Sequence, residues 1–443
     1  MKKERDLIKE LNTKKYNRPF FIRSLGYYLL TCTYWVAAKF KPQYKVIDKV
    51  EKGPAFYLWN HTNRRDEHFC VHMAFPRRIT PVCEWNEFFR GHTQFLLRHL
   101  PAIPKKVYTN DFTSIRAMNR IIKQGGIILM APEGTPSIYG GNQPVVPGTG
   151  AFLKHYKIPV YCCKVQGGYL SNPKFDCYYD RLGKTYATQF KLFTSEDLEL
   201  LSPNEIEAKI NEAFDQEDYS WNKKMRIKYI KENKGSLTDK MEYAFYLCPK
   251  CGHEYEMAHT EDNKIYCKHC GNTAIVNEYG DLIPEDETMV FPETPYVWGN
   301  NQRRKVIEDI RKDPNYEIKI HCWIGEMPRN RFLKKTETSQ RCGEGIIRIN
   351  HEGFFFDGVR NGKPYNIHLT YVELYSFVIL LDFTFFLIFF REDMLEFHPD
   401  EPIVMKMLLS VEEMHRFHVN TWKNLPKLSY LYEGLDEITV AKK

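Results

Sequence analysis

The sequence lacks the strong excess of basic residues that is typical of proteins bound to nucleic acids. Its 63 lysine and arginine residues are offset by 56 aspartate and glutamate residues, which leaves a net charge of +7 over 443 residues. This charge is too small to predict nucleic-acid binding, and we expect none, but it is compatible with an anionic membrane surface. The chain also contains no internal repeat and no low-complexity tract.

The N-terminus does not resemble a secretory signal peptide, because its apolar part starts only at Phe20 and no small-residue cleavage site follows. Residues 1–23 carry eight lysines and arginines against three acidic residues, and residues 20–38 are largely apolar and aromatic. We predict that residues 1–45 form a basic, helical, membrane-associating segment. A true membrane span and an ordinary packed helix are the alternatives, since the segment is long enough to cross a bilayer but contains Arg23.

Twelve cysteines are present, but their pattern does not predict disulfide bonds. Cys248 and Cys251 form one Cys-x-x-Cys pair, and Cys267 and Cys270 form a second after fifteen intervening residues. This spacing is typical of a ribbon in which four thiolates hold a structural zinc ion, and such a closed site has no open position for catalysis. A pair of disulfides is the alternative. The remaining cysteines suit the reduced thiols of a cytosol.

A histidine and an aspartate stand where a strand gives way to a helix. The apolar run at residues 55–59 predicts a buried strand, and His61 and Asp66 follow it. With Asp66 in the first helical turn, its carboxylate can reach back to one imidazole nitrogen of His61. The other nitrogen is then left to accept a proton. A histidine that only caps a helix is the alternative.

A second short apolar strand, residues 127–131, runs into Pro-Glu-Gly-Thr-Pro. A carboxylate (Glu133) and a hydroxyl (Thr135) at the end of a strand can hydrogen-bond a polyol, and Gly134 lets the backbone approach a ligand. A plain turn rich in proline and glycine is the alternative.

Together, Asn-His-x-x-x-x-Asp and Pro-Glu-Gly-Thr at two strand ends resemble the motifs of the glycerolipid acyltransferase family, which includes the lysophosphatidate (1-acylglycerol-3-phosphate) acyltransferases. A proline-containing strand near Pro159 supports the resemblance, which covers residues 20–215. The resemblance implies an O-acyltransferase of phospholipid biosynthesis with an acyl-CoA or acyl-carrier-protein thioester as donor. It also implies a protein on the cytoplasmic face of the cell membrane, peripheral or shallowly inserted.

The resemblance assigns a role to each motif residue. His61 would be the general base and Asp66 its orienting partner, while Glu133, Gly134 and Thr135 would hold the lysolipid acceptor. Two arginines that usually bind the acceptor phosphate are missing.

Pro136 replaces one of these arginines, and only Lys105 and Lys106 stand near the place of the other. Lys105, Lys106 and Arg64 are therefore candidate acceptor-binding residues, although solvated surface charge is the simpler interpretation of each. The acceptor could instead be another lysophospholipid or a glycolipid. A non-catalytic membrane scaffold is the rival from another class.

The alternation of strands and helices over residues 46–215 predicts an α/β acyltransferase domain with a mixed sheet flanked by helices. Within it, residues 84–100 form an amphipathic segment that either lines an acyl groove or packs in the core. We predict a helical linker (216–245), the zinc ribbon (246–280) and a connector with one helix near residues 301–312 (281–330). The β-rich domain at 331–435 would close with a helix that starts at a capping box at Ser410. Antiparallel strands with one C-terminal helix resemble a pleckstrin-homology-like domain.

Overall fold

The computed structural model describes residues 5–435, except for 38, 40, 101, 178, 233–234, 336, 381–382, 392 and 421–424. Residues 1–4 of the predicted membrane-associating segment therefore lie outside the described residues. Two helices precede the first sheet, α1 (Leu7–Thr13) and α2 (Phe21–Ala37). None of the helices in the described ranges has both the length and the apolar character that crossing a bilayer requires.

A seven-stranded mixed sheet forms the centre of the first domain, in the order β1-β8-β6-β2-β5-β3-β4. The strands that follow the N-terminal helices are β1 (Lys41–Val46), β2 (Ala55–Trp59), β3 (Ile79–Glu84), β4 (Ile103–Lys105), β5 (Ile127–Met130), β6 (Val160–Gln166), β7 (Arg181–Leu182) and β8 (Lys184–Phe193). β7 lies outside this sheet and pairs with a later strand. β2 is parallel to both β5 and β6, whereas β8 is antiparallel to β6. The predicted mixed α/β sheet is confirmed.

The sheet begins earlier than the boundary predicted at residue 46, because β1 pairs with β8 from Lys41 onward. The sequence of β1 is polar, so no apolar alternation distinguishes it from the N-terminal segment. In β2, by contrast, alternate residues enter two separate cores. Phe56 packs on one face of the sheet and Tyr57 on the other. Burial on both faces explains why this strand is a continuous apolar run.

Seven helices accompany these strands: α3 (Glu67–Ala74), α4 (Gln94–His99), α5 (Phe112–Lys123), α6 (Thr149–Tyr156), α7 (Gly168–Ser171), α8 (Ser195–Leu200) and α9 (Pro203–Ala213). The caps of two of them agree with the sequence patterns. Asp111 accepts hydrogen bonds from the backbone N–H groups of Thr113 and Ser114 at the start of α5. Ser202 and Glu205 form the reciprocal capping box of α9.

The predicted linker at residues 216–245 is instead part of the packed structure. It contains α10 (Asp218–Met225), β9 (Ile230–Lys231) and α11 (Met241–Ala244), and β9 pairs with β7. Asp218 is fully buried and accepts hydrogen bonds from the backbone of Gly167 and Tyr169. Polar composition suggested a linker, but the Asp218 carboxylate is used by backbone contacts in the interior.

A small four-stranded antiparallel sheet carries the paired cysteines, in the order β10-β11-β12-β13. Its strands are β10 (Met257–His259), β11 (Lys264–Cys267), β12 (Thr273–Val276) and β13 (Leu282–Pro284). The last strand extends past the predicted end of the ribbon at residue 280, because it completes the pairing of β12.

The C-terminal region is a seven-stranded antiparallel sheet. In the chain it is preceded by α12 (Pro295–Lys312) and followed by α13 (Val404–His418). Its strands are β14 (Glu317–Glu326), β15 (Gln340–Asn350), β16 (Gly353–Arg360), β17 (Lys363–Leu369), β18 (Val378–Ile379), β19 (Phe386–Phe390) and β20 (Asp393–Pro399), in the order β17-β16-β15-β14-β20-β19-β18. The β-rich region is confirmed, while its pleckstrin-homology likeness stays a prediction. β14 lies within the predicted connector (281–330), so the connector is shorter than predicted.

The predicted start of the last helix at Ser410 is wrong. α13 begins six residues earlier, and the Ser410 hydroxyl donates to the Lys406 carbonyl inside the helix at 2.8 Å. Glu412 and Glu413 do not cap a terminus either. They are buried and form ion pairs with Arg303 of α12 at 2.8 and 2.6 Å. A capping-box pattern thus arose from residues that α13 uses to pack against α12.

The C-terminal sheet and the first domain share one apolar core. Trp85, Phe88 and Phe89, which follow β3, pack in a cluster with Leu387 and other residues of β18 to β20. Residues 85–89 of the amphipathic segment therefore pack in the core, whereas Phe95 and Leu96 of α4 are 64% and 36% exposed.

Candidate active site

His61 lies just beyond the carboxyl end of β2, with Asp66 held beneath it. The imidazole is 18% exposed and the carboxylate is fully buried, with 3.3 Å between His61 Nδ1 and Asp66 Oδ2. Asp66 precedes α3 but forms no side-chain cap on it. Its carboxylate turns back toward the loop and accepts hydrogen bonds from the backbone N–H groups of Thr62 (2.6 Å) and Asn63 (2.8 Å).

This arrangement defines how His61 can act. The Thr62 hydroxyl donates to the second oxygen of Asp66 at 2.7 Å, so both oxygens have partners. With Nδ1 facing this carboxylate, an N–H at Nδ1 leaves Nε2 as the nitrogen that accepts a proton. The geometry is therefore that of a general base oriented by a buried carboxylate.

Glu133 lies next to His61, on the loop that follows β5. Its carboxylate accepts hydrogen bonds from the backbone N–H of His61 at 2.9 Å and of Gln143 at 2.6 Å. In return, the backbone N–H of Ser137 donates to the carbonyl of His61 at 2.7 Å. Burial raises the pKa of Glu133 to about 8. The Glu133 oxygens thus hold the backbone of the histidine loop. Contact of Glu133, Gly134 and Thr135 with the acceptor stays a prediction.

Gly134 and Thr135 occupy the same loop. Gly134 has a φ of +75°, and a Cβ added to it would lie 3.1 Å from both the Tyr108 ring and Val146. A side chain at this position would therefore be strained and crowded. Thr135 is buried, and its hydroxyl accepts a hydrogen bond from the Lys174 ammonium at 3.0 Å.

The predicted acceptor-binding cations are spread over two segments. The Lys105 ammonium donates to the carbonyls of Lys106 and Thr109 at 2.9 and 3.1 Å, and burial lowers its pKa. Lys106 donates its backbone N–H to Asp111 at 2.9 Å, and Arg64 is exposed beside the histidine loop. A role for Lys105, Lys106 or Arg64 in binding the acceptor stays a prediction.

Several residues that support His61 were given no role by the sequence patterns. Asn60 forms two hydrogen bonds with the backbone of Val165, at 2.8 and 2.6 Å. Asn63 donates to the carbonyl of Gly168 at 2.7 Å. A Cβ on Gly168 would lie 2.0 Å from the Thr62 hydroxyl, so the two chain segments touch. Asparagines at a strand end indicate backbone contacts, but the sequence does not reveal that the partner is the segment after β6.

The four paired cysteines form a second candidate site that is separate from His61. Their Sγ atoms all lie within 4.8 Å of one another, with 3.7 Å between Cys248 and Cys270 and 3.8 Å between Cys251 and Cys267. A disulfide would need about 2.05 Å. Four thiolates in a tetrahedral zinc site lie about 3.8 Å apart, because each zinc–sulfur bond is about 2.3 Å. The cluster could therefore hold a metal ion.

The role of Gly134 can be tested against a glycine with the same backbone conformation. Gly362 also has a φ of +75°, but a Cβ there would meet no atom within 4 Å. We expect Gly134→Ala to lower the free energy of unfolding by about 1–3 kcal/mol more than Gly362→Ala, because only Gly134 presses against Tyr108. Denaturant titration of both variants measures this difference. Equal losses would show that the contact with Tyr108 is not tight.

Residues 41–166 match the family model described as Acyltransferase. No curated protein matches the sequence significantly. The crystal structure of the 1-acyl-sn-glycerophosphate (LPA) acyltransferase PlsC from Thermotoga maritima matches with a TM-score of 0.37 and 14% sequence identity, over 43% of this chain and 76% of that chain.

The family match covers β1 to β6 and includes both motifs that the sequence analysis singled out. The resemblance inferred from these motifs is thereby confirmed. The matched residues, which include His61, Asp66 and Glu133, form an acyltransferase domain.

Proposed function

We propose that the protein transfers an acyl chain from a thioester donor to a hydroxyl of a glycerolipid, with 1-acylglycerol 3-phosphate as the acceptor. The observation that carries the proposal is the pairing of His61 with the buried carboxylate of Asp66 at the end of β2. The family of the domain supports acyl transfer, and the acceptor and donor are our inference. Acyl-CoA and an acylated carrier protein are the two donors that this chemistry allows.

In the proposed reaction, Nε2 of His61 takes the proton of the acceptor hydroxyl. The hydroxyl oxygen then bonds to the carbonyl carbon of the donor, and the carbon–sulfur bond breaks. The protonated imidazole returns the proton to the leaving thiolate, so no covalent acyl-enzyme forms. Asp66 stabilises the imidazolium between these steps, and Glu133 keeps the backbone of His61 in place. Positioned base catalysis of this kind contributes about 10²–10⁴-fold.

The acceptor headgroup is the point at which this sequence departs from the family pattern. Pro136 stands where the family usually has an arginine, which leaves another lysophospholipid or a glycolipid as the alternative acceptor. A panel of lysolipids that differ only in headgroup separates these candidates. A protein that transfers no acyl chain with any donor or acceptor would be a membrane scaffold instead.

Replacing His61 tests the chemistry directly. We expect His61→Ala to lower kcat by at least about 10²-fold with an unchanged circular dichroism spectrum, because the variant lacks the proton acceptor. His92→Ala is the matched control, since His92 is exposed and outside the site. Wild-type turnover in His61→Ala would exclude this mechanism.

We further propose that the four cysteines bind one structural zinc ion, because their sulfur separations suit tetrahedral coordination. Zinc would join the two loops that precede β10 and follow β11, so we expect it to contribute to folding. It would supply no chemistry at His61.

Elemental analysis of the purified protein tests the zinc proposal. We expect one zinc per chain in the wild type, and a loss of zinc together with a lower unfolding midpoint in Cys248→Ser. Cys32→Ser is the control, because Cys32 lies on α2, far from the cluster in the chain, and should leave both values unchanged. A zinc-free wild-type protein of normal stability would overturn the proposal.

We propose peripheral attachment to an anionic membrane through α2. Ile22, Leu29 and Val36 recur every seven residues, so they share one face of the helix, and they are 70%, 52% and 80% exposed. Lys15 and Arg23 are exposed near the start of this face. An apolar face with basic residues at its edge is typical of helices that lie in the membrane interface.

Vesicle binding tests this attachment. We expect the double variant Ile22→Glu/Leu29→Glu to bind vesicles that contain phosphatidylserine at least about tenfold more weakly, because each buried apolar side chain contributes about 1–3 kcal/mol. Leu200→Glu is the control, since Leu200 is 85% exposed on a different helix. Equal binding by the double variant and the wild type would contradict this role of α2.

A further inference from the structure

Lys174 is a buried cation whose hydrogen-bonding capacity is mostly unused. It lies in a short turn after α7, with only 4% of its surface exposed. Its ammonium donates to the Thr135 hydroxyl at 3.0 Å, and this is its one hydrogen bond to the described residues. An ammonium has three N–H donors, so two of them have no partner among the described residues. Burial of a charge in this state is costly unless a ligand compensates it.

The position of Lys174 relative to His61 follows from two chains of contacts. Thr135 lies between Glu133 and Ser137, and both of these residues bond to the backbone of His61. The segment that carries Lys174 begins at α7, whose Gly168 carbonyl accepts from Asn63. The ammonium therefore faces the loop that positions the imidazole.

At neutral pH the positive charge of the Lys174 ammonium is not compensated by the acidic residues that act on it. Glu84, at the end of β3, and Glu412 of α13 both act on it electrostatically. Burial raises the pKa of Glu84 to about 8, so this carboxyl is mostly protonated at pH 7. Glu412 is already paired with Arg303 at 2.8 Å. Burial lowers the pKa of Lys174 itself to about 8, which leaves the ammonium charged at pH 7.

Glu84, which acts electrostatically on the ammonium, is a second unsatisfied group. Its Oε1 atom is buried and has no hydrogen-bond partner among the described residues. A protonated carboxyl, a lysine ammonium and a threonine hydroxyl can all donate hydrogen bonds. The ligand that such a set accommodates is an anion with several acceptor oxygens, such as a phosphoryl group.

We propose that Lys174, with Thr135 and Glu84, binds the phosphate of the acceptor headgroup and so sets the preference for acidic acceptors. This inference rests on the acyl transfer proposed above. Glu412 of the C-terminal region acts electrostatically on the ammonium, so the test uses the full chain.

The first test compares two acceptors with the same acyl chain, 1-acylglycerol 3-phosphate and uncharged 1-acylglycerol. We expect Lys174→Met to lower kcat/KM for the phosphate acceptor by about 10- to 100-fold, mainly through KM, because a charge-assisted hydrogen bond is lost. The value for 1-acylglycerol and the KM for the thioester donor should change by less than about threefold. Lys209→Met is the control, since Lys209 is exposed on α9.

Two outcomes of this comparison would overturn the proposal. An equal loss with both acceptors would mean that Lys174 only supports the fold of the loop. A loss confined to the KM of the donor would place the bound anion on the donor instead.

Glu84→Gln provides a second test, because it removes any negative charge that would repel a bound phosphate. The KM for the phosphate acceptor should stay the same or fall, and a several-fold rise would count against the subsite.

A binding measurement keeps the proposal testable if Lys174→Met does not fold or if no acyl transfer is found. Glycerol 3-phosphate should raise the thermal unfolding midpoint of the wild type and of His61→Ala, and glycerol at the same concentration should not. Inorganic phosphate serves as a third ligand. A larger shift with glycerol 3-phosphate identifies a headgroup site, and an equal shift with phosphate would indicate a general anion site. No shift with either phosphate ligand would exclude the subsite even if acyl transfer is observed.

Discussion

The buried carboxylate of Asp66 is the interaction on which the candidate active site depends. Removing a carboxylate from water is costly, and here the cost is offset by two backbone N–H donors and the Thr62 hydroxyl. These donors belong to the residues directly after His61. The carboxylate therefore folds the loop around itself and, in the same arrangement, orients the imidazole. Its position just before α3 allows one side chain to serve both purposes.

The second constraint is the pairing of parallel strands that end at the same edge of the sheet. β2 ends before His61, β5 before Glu133 and β3 at Glu84, so residues distant in sequence meet there. Glu133 acts on the backbone of His61 and holds it from the neighbouring strand end. The Glu133 carboxyl thus holds the histidine loop of the neighbouring strand in place.

The C-terminal region extends the same edge. Tyr375 packs its ring against Tyr108 at a centroid distance of 5.4 Å, and Tyr108 in turn lies against Gly134. The apolar cluster that contains Trp85 and Leu387 joins the two regions on one side of this contact. The β-rich region is consequently packed onto the acyltransferase domain close to the loop that contains Gly134.

Local patterns in the sequence were sufficient for the two motif strands, the four-cysteine cluster and the closeness of His61 to Asp66. Each depends on residues within a few positions of one another or on a regular spacing. Tertiary structure alone decided that Glu133 holds the backbone of His61, that Lys174 contacts Thr135, and that residues 216–245 are packed rather than a linker. Tertiary packing also explains why α13 begins at Val404 rather than at Ser410. These features depend on which distant backbone groups and charges meet in the interior, and no local pattern of residue types carries that information.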